Sequence, residues 1–371
     1  MAHETPIDDH AAQGRRPGGE GSPLRVRYYT KGTAADPGSR YRAYQYAPRL
    51  AAHGVTLDLK PLFGDGYVDL AAERRRVLRA LRLAGAAAVG YARRLADLAG
   101  DPRADLVVIE RQLFPYWPAA CELACLRGEV PVVLEFDDAI YLTPGHRGKL
   151  ARLLAAVRLA IVGNASLADF AGRFAREVAI VPTVVDVERY RPRLRHEDGE
   201  RFVVGWIGLP YNFPALERLA APLARLAREV PLELHVVSRG APRLPGVPVR
   251  EVPWSEATEA DLLARLDVGV MPLPDDEWSR GKCGLKLLQY MAAGIPAVAS
   301  PVGVNREIVA DGENGRLAST EGDWYEALRD LARSPALRAR LGAAGRRTVE
   351  QRYSLEVWAP RVAALYRSAA R

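Results

Sequence analysis

Basic residues and glycines that could bind an anion stand together directly before an apolar helical pattern. Arg280, Lys282 and Lys286 are interspersed with Gly281 and Gly284. Two of the chain's five lysines are thus four residues apart, a spacing that puts them on one face of a helix. The first turn of a helix has backbone N–H groups without intrahelical acceptors, and these attract anions. The segment predicts a diphosphate site, and an ordinary amphipathic helix with solvated lysines is the alternative.

The apolar pattern around these residues indicates the elements that position them. Leucines and a methionine on one helical face predict a helix over residues 284–293. Gly294 suits the left-handed position that ends a helix, and Pro296 prevents its continuation. Residues 297–300 then predict a strand. The basic residues would therefore lie in the loop and first turn before a helix that packs into a core.

A second pair of chemically active side chains, Asp137 and Asp138, directly follows the apolar strand predicted at 130–136. Open α/β sheets bind their ligands at the carboxyl ends of the strands. Adjacent aspartates can hold a metal, cap a helix or pair with a nearby arginine. The sequence leaves these three interpretations open.

The composition limits the class of protein. The chain has 371 residues, enough for two domains, and 49% hydrophobic residues, enough for full cores. Its formal net charge of +7 fits a nucleic acid, an acidic lipid or a phosphorylated substrate. The sequence contains no zinc-finger, recognition-helix or aromatic RNA-binding pattern. We therefore expect no nucleic-acid partner.

Cysteine usage and the terminal segment indicate the compartment. Cys121, Cys125 and Cys283 form neither a disulfide framework nor a metal-binding spacing. Residues 1–22 are polar, so we expect a disordered segment rather than a signal peptide. No apolar run reaches the length of about 18 residues that a membrane span needs. These features predict a cytoplasmic protein without a metal or cofactor.

Strands and helices alternate along the chain, which is typical of parallel α/β sheets. In the first half, strands are predicted at 24–29, 55–59, 105–110, 130–136, 159–162 and 178–181, with helices at 41–50, 70–99 and 117–127. In the second half, strands are predicted at 202–207, 232–237, 248–252, 267–272, 297–300 and 316–318, with helices at 214–228, 258–265, 284–293, 304–310, 322–333 and 335–352. Residues 182–186 and the charged residues 191–198 are typical of an interdomain linker.

Arginines are concentrated in the predicted helix 70–99. Such a run usually forms a solvated helix face, and the alternative is a surface for anionic lipid or a charged acceptor. The second interpretation would place the protein peripherally at the inner face of the cytoplasmic membrane. The arginines are Arg74, Arg75, Arg76, Arg79, Arg82, Arg93 and Arg94.

Taken in order, five segments of the chain resemble the retaining family 4 glycosyltransferases, which have the GT-B fold. They are residues 181–190, 267–273, 280–296, 300–309 and 311–315, and the resemblance covers nearly all of residues 24–371. It implies two Rossmann-like, doubly wound parallel-sheet domains that face a cleft. The first, residues 23–185 with the last helix, would bind the acceptor. The second, residues 186–354, would bind a nucleotide-sugar donor.

The resemblance implies several donor contacts in the second domain. Backbone amides at Gly284 and Leu285 would hold the diphosphate together with Lys286. Gln289 would bind the ribose, at a position where the family has a glutamate. Trp254 could stack on the base, and a core or surface tryptophan is the alternative.

Two departures from the family pattern affect the same site. The family glutamate that contacts the donor sugar falls on Gly281. The family's arginine and lysine after the first strand of this domain are absent from residues 208–214. The resemblance therefore leaves Arg280 and Lys282 as the nearest candidates for the diphosphate charge.

The first domain would supply a closing loop and the reacting end of the site. The loop that closes over the phosphates and the acceptor is matched by Gly38, Ser39, Arg40 and Arg42. Asp137 and Asp138 occupy a strand end where many family members carry a histidine near the reacting centre. They are the candidate catalytic residues.

These residues imply transfer of a sugar from a nucleotide-diphosphate sugar to a glycan, lipid or small-molecule acceptor. Fixed donors and cations would stabilise the negative charge that grows on the leaving phosphate as an oxocarbenium-like transition state forms. The resemblance implies retention of the anomeric configuration without a metal. An epimerase or phosphorylase on the same fold is one alternative, and a non-catalytic sugar-nucleotide-binding protein is another.

An apolar stripe marks the last predicted helix, residues 355–371. Leu355, Val357, Trp358, Val362, Leu365 and Tyr366 lie near helical spacing on one side. The resemblance implies that this helix leaves the second domain and packs on the first. The alternative is a helix that completes the core of the second domain.

Overall fold

The structure is a computed structural model that describes residues 22–66, 76–100, 104–126, 128–192 and 199–371. Some of the expectations lie outside the described residues. They concern the N-terminal segment up to residue 21, most of the charged linker 191–198, and the side chains of Arg74, Arg75, Arg76 and Arg79.

Six parallel strands form the first sheet, in the order β2-β1-β3-β4-β5-β6. The strands are β1 Leu24–Thr30, β2 Val55–Pro61, β3 Leu106–Glu110, β4 Val132–Phe136, β5 Leu159–Val162 and β6 Val178–Ile180. Tyr28, Val108 and Val133 lie in register across β1, β3 and β4 and are fully buried, so this face of the sheet belongs to the core of the domain. Around the sheet lie helices Pro37–Ser39, Tyr46–Ala52, Arg76–Ala99, Ala119–Cys125, His146–Ala156 and Ala165–Ala171, a π-helical segment Arg40–Tyr44 and a 3-10 segment Ile140–Leu142.

A second sheet of six parallel strands has the order β12-β11-β10-β7-β8-β9. The strands are β7 Phe202–Ile207, β8 Leu232–Val237, β9 Val249–Val252, β10 Val268–Met271, β11 Ala297–Ala299 and β12 Arg316–Leu317. Its helices are Phe213–Glu217, Ala220–Leu226, Glu259–Leu263, Glu277–Arg280, Leu285–Ala292, Asn305–Ile308, Glu321–Arg333 and Pro335–Arg352, with 3-10 segments Val187–Arg189 and Pro210–Asn212. Two doubly wound parallel sheets confirm the predicted fold class.

Element bounds differ from the prediction where proline or turn chemistry interrupts a pattern. The single helix expected at 214–228 is two helices, Phe213–Glu217 and Ala220–Leu226. Pro214 and Pro222 each lie in the first turn of one of them, where the missing proline N–H breaks no helical hydrogen bond. Helices His146–Ala156 and Ala165–Ala171 were not predicted.

The last helix, Leu355–Ala369, crosses back to the first domain, as expected. Leu355, Val362 and Tyr366 are buried in the same apolar cluster as Val26 and Val108 of the first sheet. Trp358 and Leu365 are only half-buried at the edge of this cluster. The helix therefore supplies part of the first domain's core.

The chain passes between the domains twice, and the two passages are hydrogen-bonded to each other. The N–H of Val185 donates to the carbonyl of Tyr353 at 3.0 Å, and the N–H of Leu355 donates to the carbonyl of Val185 at 3.2 Å. A paired crossing restricts how one domain can rotate against the other.

Within the part of the chain that the structure describes, no helix has both the length and the apolar character required to span a membrane.

Candidate functional site

A cleft of about 280 Å³ separates the carboxyl ends of the two sheets and is lined by both domains. In the first domain, the residues that line it follow β1, β3 and β4, and in the second domain they follow β7, β8, β9 and β10. These ends flank β1 and β7, where the strand order of each sheet reverses, and such reversal points are where open α/β sheets bind ligands.

One helix, Leu285–Ala292, points its N-terminus into this cleft and is called here the cleft helix. Gly284 precedes it with a φ of 71°, a left-handed conformation that glycine adopts without strain. A side chain at this position would also overlap Ile308. Because the first amides of a helix lack intrahelical acceptors, the turn at Leu285 offers N–H donors to an anion in the cleft.

Lys282 and Lys286 both line the cleft beside that helix terminus, as expected from their spacing. Burial and the neighbouring charge of Lys282 lower the pKa of Lys286 to about 8. The Lys286 ammonium lies 5.4 Å from the ring centroid of Trp206, which holds it against an aromatic face. The geometry keeps a cation of reduced pKa next to the helix amides.

Arg280 does not reach the cleft, contrary to the expectation that it meets the same charge. Its Nε lies 2.7 Å from Oδ1 of Asp275, and its side chain is half-exposed. It lines a smaller pocket of about 190 Å³ together with Asn164, Gly303 and Arg306. Arg280 and Lys282, which are two residues apart in this loop, therefore line two different cavities.

Close packing of the domains explains why residue 281 is a glycine. A Cβ at Gly281 would lie 2.7 Å from the Cβ of Ala139 in the first domain. Asn164 of the first domain also contacts this loop of the second domain, because its Nδ2 donates to the carbonyl of Lys282 at 3.1 Å. Cys283 adds a hydrogen bond from its Sγ to the carbonyl of Asp137 at 3.1 Å. Ala139 of the first domain therefore occupies the position that the Cβ of any larger residue at 281 would need.

Asp137 and Asp138 share one arginine, which corresponds to the pairing alternative. Nη2 of Arg111 lies 2.9 Å from Oδ1 of Asp137 and 3.0 Å from Oδ2 of Asp138. Burial raises and the guanidinium lowers the pKa of Asp137, with a net lowering. The pKa of Asp138 is raised by burial and by the charge of Asp137. Arg111 itself has a φ of 64°, a strained conformation for a non-glycine residue that often marks a functional site.

The loop around Gly38 reaches the cleft with only some of its predicted residues. Gly38 and Arg40 line the cavity. Ser39 lies underneath, where its Oγ donates to Oε2 of Glu110 at 2.6 Å. Burial raises the pKa of that glutamate to about 7.

Arg42 faces the interior of the first domain, so its predicted contact with phosphates is contradicted. Its Nε donates to Oε1 of Glu135 at 2.6 Å and its Nη1 donates to the carbonyl of Val181 at 2.8 Å. The π-helical turn Arg40–Tyr44 directs Arg40 into the cleft and Arg42 away from it. Arg42 and Ser39 therefore support the loop from below.

Gln289 and Trp254 lie at the far end of the cleft in a hydrogen-bonded chain. Nε2 of Gln289 donates to Oη of Tyr41 at 3.0 Å, and that hydroxyl donates to Oε1 of Glu259 at 2.9 Å. Nε1 of Trp254 donates to Oε2 of the same glutamate at 2.7 Å. Arg40 adds an ion pair, with Nη2 lying 3.5 Å from Oε2 of Glu259.

Sequence reasoning missed five charged residues of the cleft wall. Arg111 could have been found, because it directly follows β3 in the way that Asp137 follows β4. Glu259 begins a short helix and carried no signal beyond a first-turn acid. The missed residues are Lys31, Asp36, Arg111, Arg239 and Glu259.

No group of three or more His, Cys, Asp or Glu side chains among the described residues is placed to hold a metal ion. Cys121, Cys125 and Cys283 are not in disulfide bonds.

Solved structures with the same arrangement define the class of fold. Sucrose-phosphate synthase from Thermosynechococcus elongatus superposes with a TM-score of 0.66 at 14% identity, covering 93% of this chain and 98% of that chain. The Anabaena protein Alr3699/HepE, solved in complex with UDP and glucose, superposes with a TM-score of 0.61 at 15% identity, covering 93% and 100%. The fold is GT-B.

Sequence comparison finds similarity to one described family in the second domain. Residues 201–334 match the family described as Glycosyl transferases group 1. The D-inositol 3-phosphate glycosyltransferase of Nocardioides sp. (strain ATCC BAA-499 / JS614) is 32% identical over 223 residues, which are 59% of this chain and 45% of that protein. The chain spans less than half the length of the curated relatives it matches. The second domain of this chain is therefore similar to the glycosyl transferases group 1 family over residues 201–334.

Proposed function

We propose that this protein is a retaining glycosyltransferase that moves a sugar from a nucleotide-diphosphate sugar to an acceptor. The observation that carries the proposal is the glycine-preceded N-terminus of the cleft helix, flanked by Lys282 and Lys286 inside an interdomain cleft. Helix amides and two cations match the charge and the oxygen geometry of a diphosphate.

The proposed chemistry follows from this placement. As the bond between the anomeric carbon and the phosphate oxygen breaks, negative charge grows on the diphosphate. The amides at Gly284 and Leu285 and the cations Lys282 and Lys286 stabilise that charge in place, without reorganisation of solvent. Gln289 and Trp254 contact the nucleoside part, and the Gly38–Arg40 loop closes over the donor.

Asp137 and Asp138 lie at the reacting end of this arrangement. Both carboxylates already bind Arg111, which favours a role in positioning and sugar contact over metal binding. The donor diphosphate is neutralised by protein cations, so we propose a reaction that needs neither a metal nor another cofactor.

The acceptor is a glycan, a lipid or a small molecule. The Nocardioides relative is named for an inositol phosphate acceptor and a Mycobacterium leprae relative for phosphatidyl-myo-inositol. These names favour a polyhydroxylated acceptor that carries a phosphate, free or attached to a lipid.

A peripheral site at the inner face of the cytoplasmic membrane is part of this proposal. Leu81, Val89 and Leu95 are 67%, 62% and 43% exposed on the helix Arg76–Ala99, and Arg82 and Arg93 are exposed beside them. Apolar side chains next to arginines suit an anionic bilayer surface. If the protein floats with phosphatidylglycerol vesicles and not with phosphatidylcholine vesicles, the result supports this location. If the protein floats with neither kind of vesicle, the location is refuted.

The experiment that tests the function is a donor screen. Thermal shift with nucleoside diphosphates and nucleotide-sugars identifies the ligand, since a ligand at 100 times its dissociation constant adds about 2.7 kcal/mol of stability. Transfer and hydrolysis assays with the best donor then separate an enzyme from a binding protein. Conversion of the donor to its epimer, or release of a sugar phosphate, would point instead to an epimerase or a phosphorylase.

A further inference from the structure

Two buried polar atoms at one end of the cleft lack a hydrogen-bond partner. They are Oγ of Ser238 and Nε of Arg40, and neither has a partner among the described residues. Both residues are only 2% exposed, yet both line the cleft. Nε of Arg111, which also lines the cleft, is a third such atom. Buried polar groups are nearly always paired, so these exceptions in one cavity call for a ligand that pairs them.

Both residues lie near Trp254, Ser238 through its backbone and Arg40 through its guanidinium. Ser238 follows β8, and its backbone N–H donates to the carbonyl of Val252 at 3.1 Å, two residues before Trp254. The guanidinium of Arg40 lies 5.2 Å from the centroid of the Trp254 ring. Ser238 belongs to the second domain and Arg40 to the first, so the two polar atoms approach this end of the cleft from opposite sides.

The direction of the cleft helix separates this end from the cationic end. Lys286 lies in the first turn of the helix, and Gln289 lies one turn further along. Gln289 connects through Tyr41 to Glu259, which binds Trp254. A ligand whose diphosphate lies at Lys286 therefore extends its other end past Gln289 toward Trp254.

The chemistry of this end suits a flat heterocycle. Trp254 offers an aromatic surface, and Ile207 and Val237 add apolar walls. An arginine Nε–H can only donate, and the serine hydroxyl can donate as well. Two donors match a base edge that carries acceptors, such as the carbonyl oxygen O4 of uracil or the pair O6 and N7 of guanine. At the positions of O4 and O6, cytosine and adenine carry an amino group, which would face these donors with a further donor.

We propose that Ser238 and Arg40 select the nucleobase of the donor, with Oγ and Nε donating to acceptor atoms of uracil or guanine, among them the carbonyl oxygen O4 or O6. The inference rests on the proposed function and specifies its donor class. Because Arg40 belongs to the first domain, the fit of the base also contributes to closure of the two domains.

Calorimetric titration of the full chain with UDP, GDP, CDP, ADP and pyrophosphate tests the proposal. Wild type should bind UDP or GDP more tightly than CDP and ADP. Ser238→Ala should weaken the preferred nucleotide about 3- to 10-fold, the effect of one hydrogen bond, and leave pyrophosphate affinity unchanged. Arg40→Lys keeps the charge near Glu259 but lacks the Nε donor, and it should reduce the preference for the same base.

Two further measurements separate ligand binding from a structural role. Removing an unpaired buried hydroxyl should leave the melting temperature of the unliganded protein equal or higher, while the shift caused by the preferred nucleotide becomes smaller. Ser255→Ala is the matched control, because Ser255 is exposed and bonds Thr258 instead.

Unchanged nucleotide preference in Ser238→Ala and Arg40→Lys would overturn the assignment, and so would equal loss of nucleotide and pyrophosphate. In both cases diphosphate binding by wild type would leave the proposed function standing. If wild type binds none of the nucleotides, the proposed function and this assignment fail together.

Discussion

At the scale of single residues, Lys286 carries the most specific consequence of the site. We predict that Lys286→Ala weakens nucleoside diphosphate binding by about 1.5 to 3 kcal/mol, the range for a hydrogen bond to a charged group, with little change in unfolding free energy. The reason is its position beside the N-terminal amides of the cleft helix. Lys60→Ala is the control, because Lys60 pairs with Asp58 away from the cleft. Equal affinities of Lys286→Ala and wild type in calorimetry would end this assignment.

The lowered pKa of Lys286 predicts a pH dependence of binding. The pKa is about 8 in the unliganded protein, so the cation that meets the diphosphate is present below pH 8 and is lost above it. Affinity should therefore fall as pH rises from 8 to 10, by at most about tenfold per pH unit. Lys286→Arg should flatten this decline, because arginine stays protonated. A decline of the same slope in the arginine variant would assign it to another group.

Glu110 predicts a pH dependence of stability. Its pKa in the folded protein is raised from 4.5 to about 7 by burial, so the unfolded chain loses this proton at lower pH than the folded chain does. The contribution to stability is complete below pH 4.5 and is lost between pH 4.5 and 7. At about 1.4 kcal/mol per pKa unit, the loss is on the order of 3 kcal/mol.

Glu110→Gln should remove that loss, so its stability relative to wild type should rise across the same window. Denaturant unfolding at closely spaced pH values measures the difference. Glu177→Gln, which replaces an exposed glutamate of the same domain, is the control. A constant difference between Glu110→Gln and wild type from pH 4 to 8 would contradict the prediction.

At the scale of elements, the C-terminal helix makes the clearest prediction. Leu355, Val362 and Tyr366 lie in the core of the first domain, although the chain reaches them from the second. We predict that truncation after Tyr353 destabilises the first domain and abolishes turnover, while nucleotide binding to the second domain largely survives. Tyr366→Ala should also destabilise the first domain. The expected loss of unfolding free energy is about 3 to 5 kcal/mol, the range for a buried aromatic side chain.

Domain-resolved hydrogen exchange and calorimetry distinguish the outcomes for this helix. Loss of protection confined to the first domain is expected. Arg361→Ala, on the exposed side of the same helix, is the control and should retain protection and turnover. A truncated protein with full turnover and unchanged protection of the first domain would show that packing of the last helix on that domain is not needed for function.

At the scale of the whole molecule, the cleft combines the cations of one domain with the Arg111–Asp137–Asp138 cluster of the other. Because protein cations already face the proposed diphosphate, we predict that transfer activity is unchanged in EDTA. The control is a metal-dependent glycosyltransferase assayed in parallel. If EDTA abolishes the activity and manganese or magnesium restores it, the prediction is wrong and Asp137 and Asp138 become candidate metal ligands.

The sequence by itself determined the alternation of strands and helices, because buried parallel strands and amphipathic helices have distinct hydrophobic periods. It also determined the positions of Lys282, Gly284 and Lys286 in the cleft, since their spacing along one loop and helix is local. The wrong bounds arose where proline splits a helix, as in residues 213–226. Local patterns therefore predicted the fold class and the cationic end of the site.

Tertiary structure decided which charged residues meet across the cleft. Arg111 and Glu259 are far in sequence from the cleft helix and are brought to it by strand ends and domain packing. The opposite directions of Arg40 and Arg42 depend on a π-helical turn, and the separation of Arg280 from Lys282 depends on where Ala139 packs against Gly281. Contacts between distant segments depend on how the two folded domains pack against each other, and the spacing of residues along the chain does not reveal that packing.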